Sequence, residues 1–489
     1  MGDLQLFSVQ ILGGLLEGLP YVIALMLGLA IPLILIGANS ASSTVLPSTR
    51  LLCIVGLALV GTTLSQALSG RTLYSEMQLM ANPMLGQAEG SRVAVLTSQI
   101  CTLLTLGLAS IEILRWVLRQ GRLGTVARPI WVAMFAYFIA LFVISGGFGV
   151  YRNPRLNDLY ALLVLTSIAL LAEGADVSFW RRMRWLLLLP SIASLVLMAI
   201  KPELVLQPDY GQSLIPGFTQ RLFGVSDHAN KMAVVACVAL VLEASPLVRR
   251  RPALLVTALQ LAVLLLTQSK TMIIATMVAV FFVRLAWLHR RLSRDDPWRG
   301  TAILGLFIIT LGIGLSIALV FAIRSASLIA ALDRIGAFSL TGRTGIWSIT
   351  LGEFLKSPLT GYGPSLWDLR YRFEHRMMAV GQAHNQFVQT LGQAGAIGFA
   401  TLVIYLGLMV RQVKRFGAST GGIGAGLMIV LLIECMSESP MTMAAILGWE
   451  NWLHLIAFAA AAGAGSAPVK AVASPVPERG FGMLRPLSR

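Results

Sequence analysis

The sequence predicts an all-α polytopic membrane protein with about 12–13 transmembrane helices. Hydrophobic residues make up 56% of the 489 residues, whereas charged residues make up only 12%. A soluble domain carries roughly a quarter charged residues. The mean hydropathy is +0.77. The apolar residues fall into runs of about twenty, which is the length that a helix needs to cross a hydrocarbon core of ~30 Å.

The apolar runs define the candidate spans in order along the chain, and the loops between them define the orientation. Arginine and lysine are concentrated in every second loop, beginning with the loop after the third run. The positive-inside rule assigns these loops to the cytoplasm and the alternate loops to the outer face. The candidate spans are residues 19–37, 50–67, 93–114, 129–149, 157–173, 183–200, 230–247, 252–268, 271–288, 301–323, 385–410, 420–437 and 442–463.

Residues 1–463 are therefore expected to form a single transmembrane helical domain with two long outward loops. These are the outward loop 201–229 and a large periplasmic loop, 324–384. The tail, 464–489, is basic and rich in Pro and Ala, and we expect it to be cytoplasmic and disordered. Within the large loop, ITLGEFLKSPL predicts a short amphipathic helix. The apolar residues of that helix are Ile349, Leu351, Phe354 and Leu355.

Several function classes find no support in the sequence. The net charge is +16, but the basic residues lie in short loops, so membrane orientation explains them better than a nucleic-acid partner. The cysteines lie in or beside apolar runs without a CxxC spacing, and the five histidines show no metal-ligand spacing. No Walker, GxGxxG or GxSxG context occurs, so neither ATP-driven transport nor a hydrolase is supported. No cofactor is predicted.

Lys270 interrupts an apolar stretch in LTQSKTMIIATM. A charge at membrane depth is costly, so its presence needs a reason. Lys270 can mark a tight outer turn between two spans and extend its amine to the interface. It can also present a cation to an anionic ligand near the outer leaflet. The second interpretation is favoured because nothing else in that turn needs a charge.

Arg221 and Arg343 are predicted on the same outer face as Lys270 and His384. Singly, Arg221 is an ordinary residue at the start of a span. Together, these residues form a candidate anion-binding cluster, since an arginine fork matches phosphate geometry and lysine supplies a compact charge. Three carboxylates near the last two spans either pair with these cations or only balance the overall charge, namely Glu434, Glu438 and Glu450.

His384 and Asn385 lie directly before an apolar helix in QAHNQFVQTLGQAGAIG. Asn385 suits the cap of that helix, and His384 can belong to the same capping region or be an ordinary surface residue. Against this, imidazole titrates near neutral pH and can accept a proton from a hydroxyl. Neighbouring cations keep such a base neutral. A catalytic role is slightly favoured over capping.

Two stretches resemble the O-antigen ligase and polymerase superfamily, bacterial membrane enzymes that join lipid-linked glycans. They are TGRTGIWSITLGEFLKSPLTGYGPSLWD (341–368) and AHNQFVQTLGQAGAIGFATLVIY (383–405). RLFGVSDHANKMA (221–233) and LLLTQSKT (264–271) agree more weakly, and the resemblance extends over about 215–460. That family often carries arginine where this chain has Lys270, which preserves charge but not bidentate binding. The residues that match the recurring signature are Arg343, Trp347, Pro358, Leu359, Gly361, Gly363, His384 and Asn385.

The resemblance implies a fold of the second class of membrane glycosyltransferases (GT-C-like) in the bacterial inner membrane, with the active site facing the periplasm. It also implies metal-independent, inverting transfer of a glycan from an undecaprenyl-pyrophosphate donor to an acceptor hydroxyl. Under this hypothesis His384 takes the proton from the acceptor. Charge stabilisation by preorganised cations replaces a metal ion. The cations that bind the pyrophosphate would be Arg221, Lys270 and Arg343, with Asn385 and Trp347 in support.

The acceptor is left open by the sequence. It is lipid A-core for a ligase, and another lipid-linked glycan for an O-antigen or exopolysaccharide polymerase. A protein O-glycosylating enzyme is a further variant, and a chain-length regulator is a candidate partner besides membrane lipids. A lipid-linked oligosaccharide flippase or secondary transporter is the competing class. It predicts charges at the bilayer midplane within broken helices, whereas here they gather at one face.

Overall fold

The computed structural model describes residues 45–293 and 343–464 apart from short gaps. The predicted spans 19–37 and 301–323, and the tail from residue 465 onward, lie outside the described residues. The gaps are residues 76, 79–81, 83–90, 153–157, 212, 215–216, 249–252, 379, 417–419 and 445–446.

The described chain is helical almost throughout, which confirms the predicted all-α polytopic class. Lipid offers no hydrogen-bond partners, so a membrane-spanning backbone satisfies its own polar groups within helices. In the described ranges, six helices are long and apolar enough to cross a membrane. The helices are α1 Pro47–Ala67, α2 Arg92–Leu118, α3 Ala127–Phe138, α4 Leu159–Leu170, α5 Val177–Leu186, α6 Leu188–Ile200, α7 Ala229–Ala244, α8 Leu254–Leu266, α9 Lys270–Ser293, α10 Arg343–Lys356, α11 Leu369–Glu374, α12 Gln386–Phe416, α13 Ile423–Ser437 and α14 Trp449–Ala462.

The helices α7 and α14 form the centre of the bundle. Every residue of α7 from Met232 to Ala244 is buried, and α14 is buried from residue 451 to its end. Helices that are apolar all round occupy interiors. By contrast, α8 begins with Leu254 and Leu255, which are exposed, as expected for a lipid-facing surface.

The helix α5 differs from the sequence prediction, which began a span at residue 183 and placed the preceding arginines in a loop. The helix begins at Val177 because the side chain of Asp176 caps it by accepting from the Phe179 amide at 2.9 Å. Arg184, buried within α5, pairs with the buried Glu243 of α7 at 3.1 Å. A buried cation is tolerated there because it has an acidic partner.

The loop 201–229 is partly ordered as a small hairpin. A one-turn helix, Pro202–Val205, leads into strand β1, Leu206–Gln207, which pairs antiparallel with β2, Arg221–Leu222. Gln207 lies opposite Arg221 in this register. The hairpin therefore fixes the backbone of Arg221 against the ends of the bundle helices.

The described part of the large loop begins with α10, so a helix is confirmed where ITLGEFLKSPL predicts one. Two of its apolar residues, Leu351 and Leu355, are exposed on the protein surface. The buried face instead carries Thr350 and Glu353. These polar side chains are tolerated inside because Trp367 donates to Thr350 Oγ1 at 3.2 Å, and the Tyr371 hydroxyl donates to Glu353 at 3.1 Å.

The Pro-Leu-Thr-Gly-Tyr-Gly turn, residues 358–363, packs against a break in α12. Gly395 interrupts that helix with φ +62°. The Ala396 amide donates to the Pro358 carbonyl at 2.8 Å, and the Tyr362 amide donates to the Gly392 carbonyl at 2.8 Å. Gly361 has φ +69°, and a Cβ on it would lie 2.5 Å from the Gln393 carbonyl carbon. Only glycine allows this close backbone approach.

Candidate active site

The ends of five helices meet at one end of the bundle, called here the site end. At this end α7, α9 and α12 begin, and α8 and α13 finish. Side chains beside these termini are joined by hydrogen bonds, as described below. Charged groups placed at helix ends can reach water or a ligand while their helices stay in apolar surroundings. The structure brings all four predicted cluster residues to this end.

Of the two roles that the sequence left open, Asn385 takes the helix cap, and His384 is left for a role outside the cap. Asn385 caps α12, because its Oδ1 accepts from the amides of Phe387 at 3.0 Å and Val388 at 3.1 Å. His384 precedes the cap with φ +49°, and its Nδ1 lies 2.7 Å from Oε2 of Glu438. No described residue hydrogen-bonds Nε2 of His384. The histidine is thus held by one ring nitrogen only.

Glu438, which follows α13, is the centre of this network. Its Oε2 also accepts from Gln382 Nε2 at 2.8 Å, and its Oε1 accepts from Asn230 Nδ2 at 2.7 Å. Arg343 Nη2 lies 3.8 Å from Oε1. Burial raises the pKa of Glu438, but the hydrogen bond and charge of His384, with the other contacts, outweigh it and lower the pKa to about 2. Glu438 is therefore ionised at neutral pH.

An ionised carboxylate only accepts hydrogen bonds, so Nδ1 of His384 must carry the proton. When the imidazole is neutral, this arrangement leaves the lone pair on Nε2. A carboxylate that fixes an imidazole in this way is the arrangement by which catalytic histidines are oriented. The geometry at His384 therefore suits a general base.

Arg221 joins the network through Asn230. Its Nη2 donates to Asn230 Oδ1 at 2.7 Å, its Nε donates to the Thr267 carbonyl at 2.9 Å, and its guanidinium lies over the Tyr210 ring, 4.7 Å from the centroid. The charges of Arg221 and Lys270 are close enough to repel each other. Two cations held together in this way favour a shared anionic ligand.

Trp347 fixes the backbone immediately before His384. Its Nε1 donates to the Ala383 carbonyl at 2.8 Å, and the Ala383 amide donates to Oε1 of Gln389 at 2.8 Å. Ala383 is fully buried between these partners. Because both polar groups of Ala383 are paired, the position of the next residue is set by α10 and α12 together.

A cavity of about 460 Å³ opens beside this network. This size lies in the range of small-molecule sites, about 300–1,000 Å³. Neither Arg221, Lys270 nor Arg343 belongs to its described wall. The cations that do are Lys231 and Arg372. The wall is formed by Asp227, His228, Lys231, Val234, Arg372, Gly381, Gln382, His384, Glu434, Glu438, Ser439, Pro440, Trp449 and Leu453.

His228 is the second imidazole on the cavity wall. It caps α7, with its Nδ1 accepting from the Asn230 amide at 3.2 Å. Burial, followed by the charge of Arg221, lowers the pKa of His228 to about 4. The sequence ranked this residue below His384. Its Nδ1 is occupied by the backbone, so a structural role accounts for its position.

Two other histidines, His375 and His454, have structural partners. His375 stacks on Tyr371 at 4.0 Å between centroids. His454 is buried in α14, with Nε2 2.8 Å from the Tyr405 hydroxyl. Within the described residues, no three of the His, Cys, Asp and Glu side chains are arranged to hold a metal ion.

Sequence reasoning missed the central position of Glu438, which it named only as one of three carboxylates that pair with cations or balance charge. It also did not single out Gln382. Asn230 lies in the weaker of the matching stretches, RLFGVSDHANKMA, and that was the available signal. Polar residues beside helix ends become informative only once the neighbouring helices are known.

Comparison with protein families identifies the part of the chain that carries these residues. Residues 255–403 match the family model described as O-antigen ligase. This stretch is an O-antigen ligase family domain. It confirms the resemblance to the ligase and polymerase superfamily, over a shorter range than the sequence suggested. No curated protein matches the chain at a significant level.

The O-antigen ligase domain contains only part of the network. It includes Lys270, Arg343 and His384, whereas Arg221 precedes it and Glu438 follows it. The domain is that of a glycosyltransferase of the ligase and polymerase type, which acts on a lipid-linked glycan donor and an acceptor. The network of side chains joins the domain to both flanking parts of the chain.

Proposed function

We propose that the site end transfers a glycan from an undecaprenyl-pyrophosphate donor to an acceptor hydroxyl, at the periplasmic face of the bacterial inner membrane, without a metal ion. The observation that carries this proposal is the contact of 2.7 Å between Nδ1 of His384 and the carboxylate of Glu438. When the imidazole is neutral, this contact keeps its proton on Nδ1 and leaves the second nitrogen to accept a proton beside a cavity.

In the proposed step, His384 Nε2 takes the proton of the acceptor hydroxyl. The acceptor oxygen forms a bond to the anomeric carbon from the face opposite the phosphate, and the bond between that carbon and the phosphate oxygen breaks. The electron pair leaves with undecaprenyl pyrophosphate, so the anomeric configuration inverts. Glu438 stabilises the imidazolium that forms.

The leaving pyrophosphate gains negative charge, which the cations of the site end would stabilise. Arg343, nearest to Glu438, and the pair of Arg221 and Lys270 are proposed to contact it. The guanidinium of Arg221 is held by hydrogen bonds to Asn230 and Thr267, so its position is fixed before a ligand binds. Preorganised charge is effective because no rearrangement is needed during the reaction.

The break in α12 bears on the competing transporter class. Discontinuous helices of transporters open onto a substrate site near the midplane. At Gly395, however, the break is filled by the backbone of Leu359 and Thr360. The residues of the network lie at helix ends instead. Both features favour transfer over transport.

Glycan analysis of a deletion strain tests the proposal and separates its variants. Loss of long chains with a single repeat retained on core indicates a polymerase. Accumulated lipid-linked polymer with bare core indicates a ligase, and untranslocated precursor indicates a flippase. Complementation with His384→Ala should reproduce the deletion phenotype while the protein is inserted normally in the membrane. Wild-type glycans in that strain would remove the proposed base.

A further inference from the structure

The cavity wall contains buried polar atoms that no part of the network uses. Oε2 of Glu434, Oγ of Ser439 and Nε1 of Trp449 are buried, and each is without a hydrogen-bond partner among the described residues. All three residues belong to the wall of the cavity. The residues are only 4%, 1% and 7% exposed, respectively. An unpaired buried polar atom costs about 1–3 kcal/mol, so native structures retain few without a reason.

We infer that Glu434, Ser439 and Trp449 form a carbohydrate subsite that holds the non-reacting hydroxyls of a sugar beside His384. This inference rests on the proposed function, because it names part of the substrate bound in the same cavity. The three groups complement a sugar: the carboxyl group and the hydroxyl can each accept a hydrogen bond, and the indole N–H donates one. The indole also offers an apolar face to the C–H side of a pyranose.

The acidic side chain of Glu434 argues against a phosphate at this part of the cavity wall. Glu434 makes no salt bridge with a described residue, and its electrostatic neighbours are Glu438, Lys231 and Arg343. An acidic side chain itself offers a phosphate no positive charge to bind. Lys231 and Arg372 lie on the same cavity wall and suit the charged part of a donor. A neutral sugar is therefore the ligand class that the unpaired atoms select.

The subsite lies within reach of the proposed base. Glu434 and Glu438 lie one helical turn apart, near and just beyond the C-terminus of α13, and Ser439 directly follows Glu438. Residues four apart lie on the same helix face. A sugar hydrogen-bonded to this wall would thus place another of its hydroxyls near Nε2 of His384.

Binding of free oligosaccharides tests the subsite without turnover. Two probes are used: core oligosaccharide released from lipopolysaccharide by mild acid, and repeat-unit oligosaccharide released in the same way from the lipid-linked glycan. Each is titrated by saturation-transfer NMR against the full-length protein in nanodiscs. The His384→Ala variant serves as the background, so that no transfer contributes to the signal. Preference for one probe distinguishes a core acceptor from a repeat-unit sugar.

We expect at least one probe to bind, with an affinity reduced several-fold by each of Glu434→Gln, Ser439→Ala and Trp449→Phe. The matched controls are Ser437→Ala and Trp452→Phe, which alter buried side chains outside the cavity wall and should leave the affinity unchanged. Size-exclusion profiles and melting temperatures identify any variant that fails to fold, and Ser439→Ala removes only one atom.

Unchanged affinity in the folded subsite variants would overturn the inference, as would the absence of binding by both probes to the parent protein. Failure of the proposed function gives a different result. If the probes bind through Glu434, Ser439 and Trp449 but His384→Ala transfers glycan at the normal rate, the subsite stands and the proposed base does not.

Discussion

Replacing Glu438 by glutamine tests how the imidazole of His384 is oriented. Three donors converge on the carboxylate: His384 and Gln382 on Oε2, and Asn230 on Oε1. An amide can accept on one side only. When the NH2 group of the glutamine occupies the Oε1 position, it meets the side-chain NH2 group of Asn230, and two donors then face each other. Asn230 cannot turn to compensate, because its own oxygen holds Arg221 at 2.7 Å.

The opposite amide orientation places the NH2 group against Nδ1 of His384. That contact favours the imidazole tautomer with its proton on Nε2, which cannot take a proton from the acceptor. Each unpaired donor costs about 1–3 kcal/mol. Exchanging a carboxylate for an amide beside a catalytic imidazole lowers kcat by up to about 10⁴-fold. We expect Glu438→Gln to lower kcat by about 10²- to 10⁴-fold, with little change in the KM for the donor.

The assay is glycan transfer by purified protein in nanodiscs, with donor and acceptor varied separately. Glu438→Asp should recover part of kcat, because it restores the charge. Glu353→Gln is the matched control, since Glu353 is also buried and lies off the cavity wall. We expect a loss of about 10²-fold or more. If the kcat of Glu438→Gln stays within about twofold of the wild-type value, the orienting role is refuted.

Three further variants test other contacts. Arg221→Gln should raise the KM for the lipid-linked donor about 10- to 100-fold, because hydrogen bonds to charged groups contribute about 1.5–3 kcal/mol; an unchanged KM would assign Arg221 to topology. Gly361→Ala should lower the free energy of unfolding by about 2 kcal/mol or more, which is measured by the thermal unfolding temperature. Alanine in the left-handed backbone conformation costs about 1–2 kcal/mol, and its Cβ would also clash with the Gln393 backbone. Folding lowers the pKa of His228 from 6.5 to about 4, so between these pH values the unfolded chain binds more protons, and stability should fall as the pH decreases. His228→Asn should reduce this dependence of the unfolding temperature on pH.

Matched changes separate these effects from general damage. Gly345→Ala, in α10, adds a Cβ where no atom lies within 4 Å, so it should not destabilise the protein. A loss equal to that of Gly361→Ala would remove the packing argument. An unaltered pH dependence in His228→Asn would show that other groups dominate it.

The helices were predictable because their apolar runs have the length and composition of membrane spans. Pro47–Ala67 and Arg92–Leu118 follow the predicted runs 50–67 and 93–114 closely. Their ends depend on caps and partners. The start of α5 at Val177, for example, is set by the cap at Asp176 and by the partner that Glu243 provides for Arg184. In α10, periodicity could not reveal that Trp367 and Tyr371 satisfy the buried polar groups of Thr350 and Glu353.

The candidate site was predictable as a collection of residues but not as a network. Loop alternation placed Arg221, Lys270 and His384 at one end, and residue chemistry suggested a base and an anion. It could not show that Asn230 and Glu438 join them, because a partner more than 50 residues away depends on how the helices pack. The sequence also could not show that Arg221, Lys270 and Arg343 lie outside the cavity wall.

The role of His384 is tested most directly by the single-turnover rate of glycan transfer with purified His384→Ala protein that still binds the lipid-linked donor. Loss of the base should lower this rate by about 10²-fold or more at unchanged donor affinity. Transfer at the wild-type rate by the donor-saturated variant would contradict the assignment of His384 as the group that takes the acceptor proton.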